Sequence, residues 1–157
     1  MKSVTAKLAC VLSTLFVVAS ASAANSNAMT ISASSFEETT NGTPCISRLN
    51  NGISNLCSVD TNFIYGIPKG PSTAGYTITF AGNNTSTSDS TTCTVFSNAA
   101  NGSFLAYSTS IASGVSGNWT RSITFNATQA PVSGRLTAYA GVPANQQGVL
   151  YGLTLAY

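Results

Sequence analysis

The sequence predicts an all-β domain, a sandwich or a barrel, on three observations. Beyond residue 23 no stretch of ten or more residues keeps a 3.6-residue apolar period, so no amphipathic helix is expected. Short runs of alternating apolar and polar residues recur instead, as half-buried strands require. The runs are divided by turn-forming clusters: Asn41-Gly42, Asn50-Asn51-Gly52, Pro68-Lys69-Gly70-Pro71, Gly82-Asn83-Asn84, Asn101-Gly102 and Gly114 to Asn118. Strands at this spacing close into two packed sheets or into a barrel.

The first 23 residues read differently from the rest. Lys2 and Lys7 give a positive start, Leu8 to Val18 an apolar stretch, and Ala21-Ser22-Ala23 the small residues of a cleavage site. That pattern is a secretory leader cut after Ala23, and its apolar stretch is too short for a membrane span. The expected organisation is a leader over 1–23, a segment over 24–36 able to act as a separate strand, and a β-sandwich over 37–157. Loss of the leader also removes the chain's excess of positive charge. Arg48, Lys69, Arg121 and Arg135 then balance Glu37, Glu38, Asp60 and Asp89. A neutral surface argues against nucleic acid or an anionic membrane as partner, and no stable membrane insertion is expected.

Taken in order, the expected strands are Ala28 to Ser34, Leu56 to Tyr65, Tyr76 to Ala81, Thr92 to Ser97, Phe104 to Ile111, Trp119 to Ala127, Arg135 to Ala140 and Val149 to Tyr157. In the first, Met29, Ile31 and Ala33 share one face and Thr30 and Ser32 the other. Gly82 to Thr92 reads as an exposed loop between two good strands. Thr-x-Thr pairs at Thr77, Thr85 and Thr92 do not recur at a fixed spacing, which argues for ordinary solvent-facing strand threonines and against a solenoid. The last strand alternates most regularly of all, with Val149, Tyr151, Leu153, Leu155 and Tyr157 expected on one face.

Cys45, Cys57 and Cys93 remain beyond the leader, an odd set expected to form one disulfide in an oxidising compartment. Cys45–Cys57 is the closest pair in sequence, and Cys57–Cys93 is the competing pairing.

Chemistry is constrained more by what is missing. Histidine is absent, which removes the usual general base, the Ser-His-Asp triad and the commonest metal ligand. Glu37 and Glu38 are adjacent and would face opposite ways on a strand, while Asp60 and Asp89 sit in separate segments, so no glycosidase-like pair of carboxylates is expected. No catalysis, metal or cofactor follows from these residues. The N-x-S/T acceptors at Asn41, Asn83, Asn84, Asn101, Asn118 and Asn126 are what an Asn-, Ser- and Thr-rich chain contains by chance. Arg121 and Arg135 lie in strands, where a single Arg is ordinarily a solvated or edge-protecting residue. Trp119, Tyr107 and Tyr139 offer a platform for stacking a sugar ring, although aromatic burial habits favour the core for them.

Tyr76-Thr-Ile-Thr-Phe-Ala-Gly82, Phe104-Leu-Ala-Tyr107 followed by Trp119, and above all Arg135-Leu-Thr-Ala-Tyr-Ala-Gly-Val-Pro-Ala-Asn-Gln146 leading into Gly148 to Tyr157 resemble the chaperone-usher pilins of the spore coat protein U or secreted-pili type. The resemblance implies an immunoglobulin-like sandwich lacking one strand, with an acceptor groove beside Val149, Tyr151, Leu153, Leu155 and Tyr157. It implies a periplasmic chaperone and outer-membrane usher in transit, with the carboxylate after Tyr157 as an anchor for the chaperone's basic residues. Like subunits would then polymerise by donating Met29, Ile31 and Ala33 as a strand. The family's cysteine spacing differs, so no disulfide is carried over.

Two functions are therefore expected to compete: a structural subunit of a surface fibre, with an open groove and a projecting N-terminal segment, or a self-contained secreted carbohydrate- or ligand-binding sandwich using Trp119 and exposed tyrosines, with that segment packed into its own fold.

Overall fold

The computed structural model describes residues 27–39, 45–49 and 52–157; the expected leader over 1–23 and the start of the expected donor segment lie outside the described residues. Among the described residues eleven strands form two antiparallel sheets. They are β1 (Ala28–Ser32), β2 (Glu37–Glu38), β3 (Ile46–Leu49), β4 (Gly52–Asn55), β5 (Thr61–Ile67), β6 (Gly75–Asn84), β7 (Ser90–Asn98), β8 (Phe104–Ser113), β9 (Gly117–Asn126), β10 (Arg135–Val142) and β11 (Gly148–Ala156). One short 3-10 turn, Ala33–Ser35, follows β1.

The first sheet runs β3-β4-β11-β6-β9, and the second runs β2-β5-β10-β7-β8. Together they make the β-sandwich that the alternating runs predict. The eight expected strands are all present, with the Leu56 to Tyr65 strand starting later, at Thr61. The expected loop over Gly82 to Thr92 is shorter, because β6 continues to Asn84 and β7 begins at Ser90. Three strands were not legible: β2, which has two residues, and β3 and β4, four-residue strands paired antiparallel with each other. Strands so short carry too few residues to display a period.

The β3–β4 hairpin also decides the disulfide. Its register pairs Ile46 with Asn55, and the Leu56 N–H donates to the Cys45 carbonyl at 2.7 Å. Cys45 and Cys57 are thus brought together at the open end of the hairpin, where they form the disulfide with Cα atoms 5.1 Å apart. Cys93 is a buried free thiol on β7.

The C-terminal strand departs from the expected alternation. Between Leu150 and Gly152 the register with β6 shifts by a β-bulge, and Gly152 has φ 144°. One extra residue in a strand exchanges the faces of everything beyond it. Leu150 therefore points inward and Tyr151 outward, after which Leu153 and Leu155 are buried. Val149 and Tyr151 do not share a face with Leu153 and Leu155.

β6 follows one side of β11 for its whole length, and the other side is shared. β4 pairs with Val149 and Leu150, while β1 pairs antiparallel from Ser32 opposite Gly152 to Ala28 opposite Ala156. Asn27 and Tyr157 extend the ladder with reciprocal bonds of 3.1 and 3.0 Å. The groove expected beside the last strand is filled by the chain's own β1, and the projecting N-terminal segment is not what the structure has. Ile31 and Ala33 are buried in the core, and Met29 packs against it.

Between the sheets lies one apolar core that includes Phe63, Ile78, Phe80, Val95, Phe125, Leu136, Leu150, Leu153 and Leu155. Its polar centre is Asn84, which is fully buried. The Asn84 amide donates to the carbonyls of Ala112 (2.8 Å) and Asp89 (3.3 Å), and its oxygen accepts from Thr91 Oγ1 (2.8 Å) and Trp119 Nε1 (3.0 Å). A buried amide with each of its groups bonded ties β6 to β7, β8 and β9 across the sandwich. Among the described residues no helix is long and apolar enough to cross a membrane.

Candidate site on the outer face of the second sheet

The largest apolar side chains left in solvent gather on one strand. Phe104, Tyr107 and Ile111 of β8 are 58, 63 and 50% exposed. The core-facing positions of the same strand carry only Ala106, Ser108, Ser110 and Ala112. This strand is inverted with respect to the usual rule: its small residues face in and its bulky apolar ones face out.

The register continues the exposed row across the sheet. One outward row is Gly66 on β5, Thr137 on β10, Phe96 on β7 and Tyr107 on β8; the next is Ile64, Tyr139, Thr94 and Thr109. Phe96 stacks on Tyr107 with ring centroids 5.8 Å apart and meets the edge of Tyr139 at 5.2 Å. Phe104 lies 6.2 Å from Tyr107. Four aromatic rings thus form a continuous strip over three strands, flanked by the Thr94 and Thr109 hydroxyls, 2.9 Å apart. Arg135 stands at one end, opposite Asn98.

Of the expected platform residues, Tyr107 and Tyr139 are brought together here and Trp119 is not. Trp119 is 4% exposed, with its ring against Gly82, where an added Cβ would lie 2.3 Å from the indole, and its N–H on Asn84. It is a core residue. Phe96 and Phe104 complete the strip and were missed, because both faces of β7 and β8 carry apolar residues and alternation alone does not say which face turns outward.

The outer face of the first sheet is different in kind. Thr77 pairs with Thr124 at 3.2 Å and Thr79 with Ser122 at 2.8 Å, and Asn83 donates to Asn118 at 3.0 Å. A shallow groove of about 550 Å³ there is lined by Thr30, Ser32, Thr79, Thr120, Tyr151 and Thr154. Of its threonines, Thr79 belongs to a Thr-x-Thr pair expected to face solvent, and its hydroxyl pairs with Ser122.

The acids do not converge. Asp60 accepts from the Ala144 N–H at 3.0 Å and so holds the β10–β11 turn. Asp89 accepts from Thr85 Oγ1 and the Ser86 N–H, at 2.9 and 2.7 Å, and shapes the β6–β7 turn. Glu37 and Glu38 occupy successive positions on β2. Among the described residues no group of three His, Cys, Asp or Glu is placed to hold a metal ion. Burial pushes the Cys93 thiol up to about 12, with the Arg121 guanidinium acting in the opposite sense, so its reactive thiolate is suppressed.

No protein-family model matches the chain, and no curated protein sequence matches it. Solved structures do share its fold. A xylan-binding module, CBM15, superposes with a TM-score of 0.57 at 10% identity, over 83% of this chain and 96% of that one. A xylanase 10C from Cellvibrio japonicus in complex with xylopentaose gives 0.54 at 11% identity, over 81% of this chain and 28% of the enzyme. The C-terminal CBM6 of LamC, a marine laminarinase from Zobellia galactanivorans, gives 0.51 at 13%, over 83% and 100%. At such identities the likeness is one of fold.

Proposed function

We propose that the domain is a non-catalytic, secreted carbohydrate-binding module whose ligand lies along Tyr139, Phe96, Tyr107 and Phe104. The observation that carries this reading is the inversion of β8. A strand that spends its small residues on the core and its aromatic ones on solvent exposes apolar area that a monomer ordinarily buries, and such patches mark contact surfaces. Sugar rings suit it because they present flat C–H faces to aromatic rings and hydroxyls to flanking polar groups such as Thr94, Thr109 and Asn98. The shared fold of xylan-binding and other carbohydrate-binding modules supports the reading by analogy. Closure of the sandwich by β1 supports a self-contained module, and the disulfide suits an oxidising compartment.

Affinity electrophoresis against soluble xylans, β-glucans and mannans tests it. Tyr107→Ala is expected to weaken binding about tenfold or more, as removal of a central aromatic anchor does, while Tyr151→Ala on the opposite sheet leaves it unchanged. Equal losses from the two variants, or no retardation on any of these glycans, would refute the proposal.

A second reading rests on β1. Its only strand pairing is with β11, by a short ladder, so it is an element that a second copy could supply with the same register. On this reading the chain is a fibre subunit, exported through a chaperone and an usher, that polymerises by exchange of Ala28–Ser32. Sedimentation separates the two: a fibre subunit forms multimers that deletion of 24–36 abolishes, whereas the binding module sediments as a monomer.

A further inference from the structure

We propose that the ligand of this face is an acidic, uronate-bearing polysaccharide and that Arg135 reads its carboxylates. The inference rests on the platform reading above and assigns its substrate class. Arg135 is on β10, the central strand of its sheet, so protection of a sheet edge does not explain it. Its neighbours in the alternation, Leu136, Ala138 and Ala140, are buried, which turns Arg135, Thr137 and Tyr139 to the solvent side.

The other basic side chains of the described domain are committed to main-chain carbonyls. Arg48 donates to Ser34 and Phe36 at 2.8 and 2.9 Å, and Arg121 to Ile111 and Thr120 at 2.9 and 2.8 Å. Lys69 donates to the Pro131 carbonyl and sits 5.0 Å above the Tyr76 ring. Arg135 alone among them stands on the aromatic strip.

Asp60 and Asp89 are elsewhere, and Glu37 shares this face at its edge. Asp60 is bound at the far end of β10, beside the β10–β11 turn, and Asp89 is bound in the β6–β7 turn. Glu37 lies opposite Ile64, in the row of Tyr139, on the outermost strand of the sheet. Arg135 also lines a depression of about 410 Å³ with Tyr65, Pro68, Val132 and Thr137.

The spacing suits a substituent on a stacked sugar. Thr137 is opposite Phe96 and Arg135 opposite Asn98, one same-face step along the strand, or about 7 Å. A sugar resting on Phe96 and Tyr107 would therefore hold a ring substituent, or that of the next sugar, within the reach of the guanidinium. The planar fork of arginine matches a carboxylate through two parallel N–H···O bonds.

The test uses one glycan in two forms, glucuronate-bearing xylan and the same xylan with its carboxylates reduced to alcohols, titrated by calorimetry at low and high salt. The intact domain is expected to bind the acidic form about fivefold more tightly at low salt, the size of an exposed charge-assisted pair, and the preference should shrink as salt rises. Arg135→Gln should bring the two forms to equal affinity and abolish the salt-dependent preference; Arg135→Lys should keep part of it. Equal binding of the two forms, or a preference that survives in Arg135→Gln, overturns the charge assignment and leaves the platform standing. Binding of neither form overturns both.

Discussion

Replacing Gly152 with alanine should loosen β1 and destabilise the domain by roughly 3–5 kcal/mol. Gly152 has φ 144°, a region that costs a residue with a side chain about 1–3 kcal/mol. A Cβ built there would lie 2.1 Å from the Ile31 carbonyl oxygen and 3.1 Å from the Ala33 nitrogen. Both are backbone atoms of the segment that covers β11, so no side-chain rotation relieves the clash. The segment must lift, and with it goes burial of Ile31, at present 6% exposed, worth about 1.5–3 kcal/mol. Against a usual total of about 5–15 kcal/mol the loss is large. Urea unfolding should show a lower midpoint, and thermal unfolding a Tm lower by roughly 10–20 °C. Amide exchange should show protection lost first over Ile31 and Ser32. Gly66→Ala, where an added Cβ meets nothing within 4 Å, is the control and should be close to neutral. A Gly152→Ala protein within about 1 kcal/mol of the parent, with Ile31 still protected, would refute the close docking of β1 on the bulge.

Asn84→Ala should cost about 3–5 kcal/mol, because it strands the Trp119 N–H, the Thr91 hydroxyl and the Ala112 carbonyl in the core; urea unfolding followed by tryptophan fluorescence measures it, and a cost under about 1 kcal/mol would deny the amide its bridging role. For Cys93 the folded thiol keeps its proton up to about 12, whereas the unfolded thiol loses it near about 8.5. Over that window the unfolded state binds fewer protons, so stability falls as pH rises, by at most about 1.4 kcal/mol per unit. Cys93→Ala should remove this component of the alkaline slope. A thiol reagent at pH 8 should leave native Cys93 unmodified and label it on unfolding; rapid native labelling would contradict its burial.

Much of the β topology was legible because alternation and turn chemistry are local. Asn50-Asn51-Gly52 reads as a break in the sequence, yet β3 and β4 are too short to show a period. The same shortness hid why Cys45 pairs with Cys57: the hairpin between them sets their separation, and Cys93 is held in the core of β7. For the candidate site, Tyr107 and Tyr139 were named among aromatics able to stack a sugar, but so was Trp119, and nothing local distinguishes an indole seated over Gly82 from one facing solvent.

The sequence by itself determined that this is a β-rich domain without histidine, nearly neutral once residues 1–23 are set aside, and divided by turns into strands of which the longer ones were readable. Those properties depend on residue type and on neighbours a few positions away. Tertiary structure alone decided which face of each strand is buried, since a period of two is the same read from either side. It placed the aromatic residues of β8 outward, turned β11 over at Gly152, and seated β1 against its own C-terminal strand, because each outcome depends on what lies across the sheet.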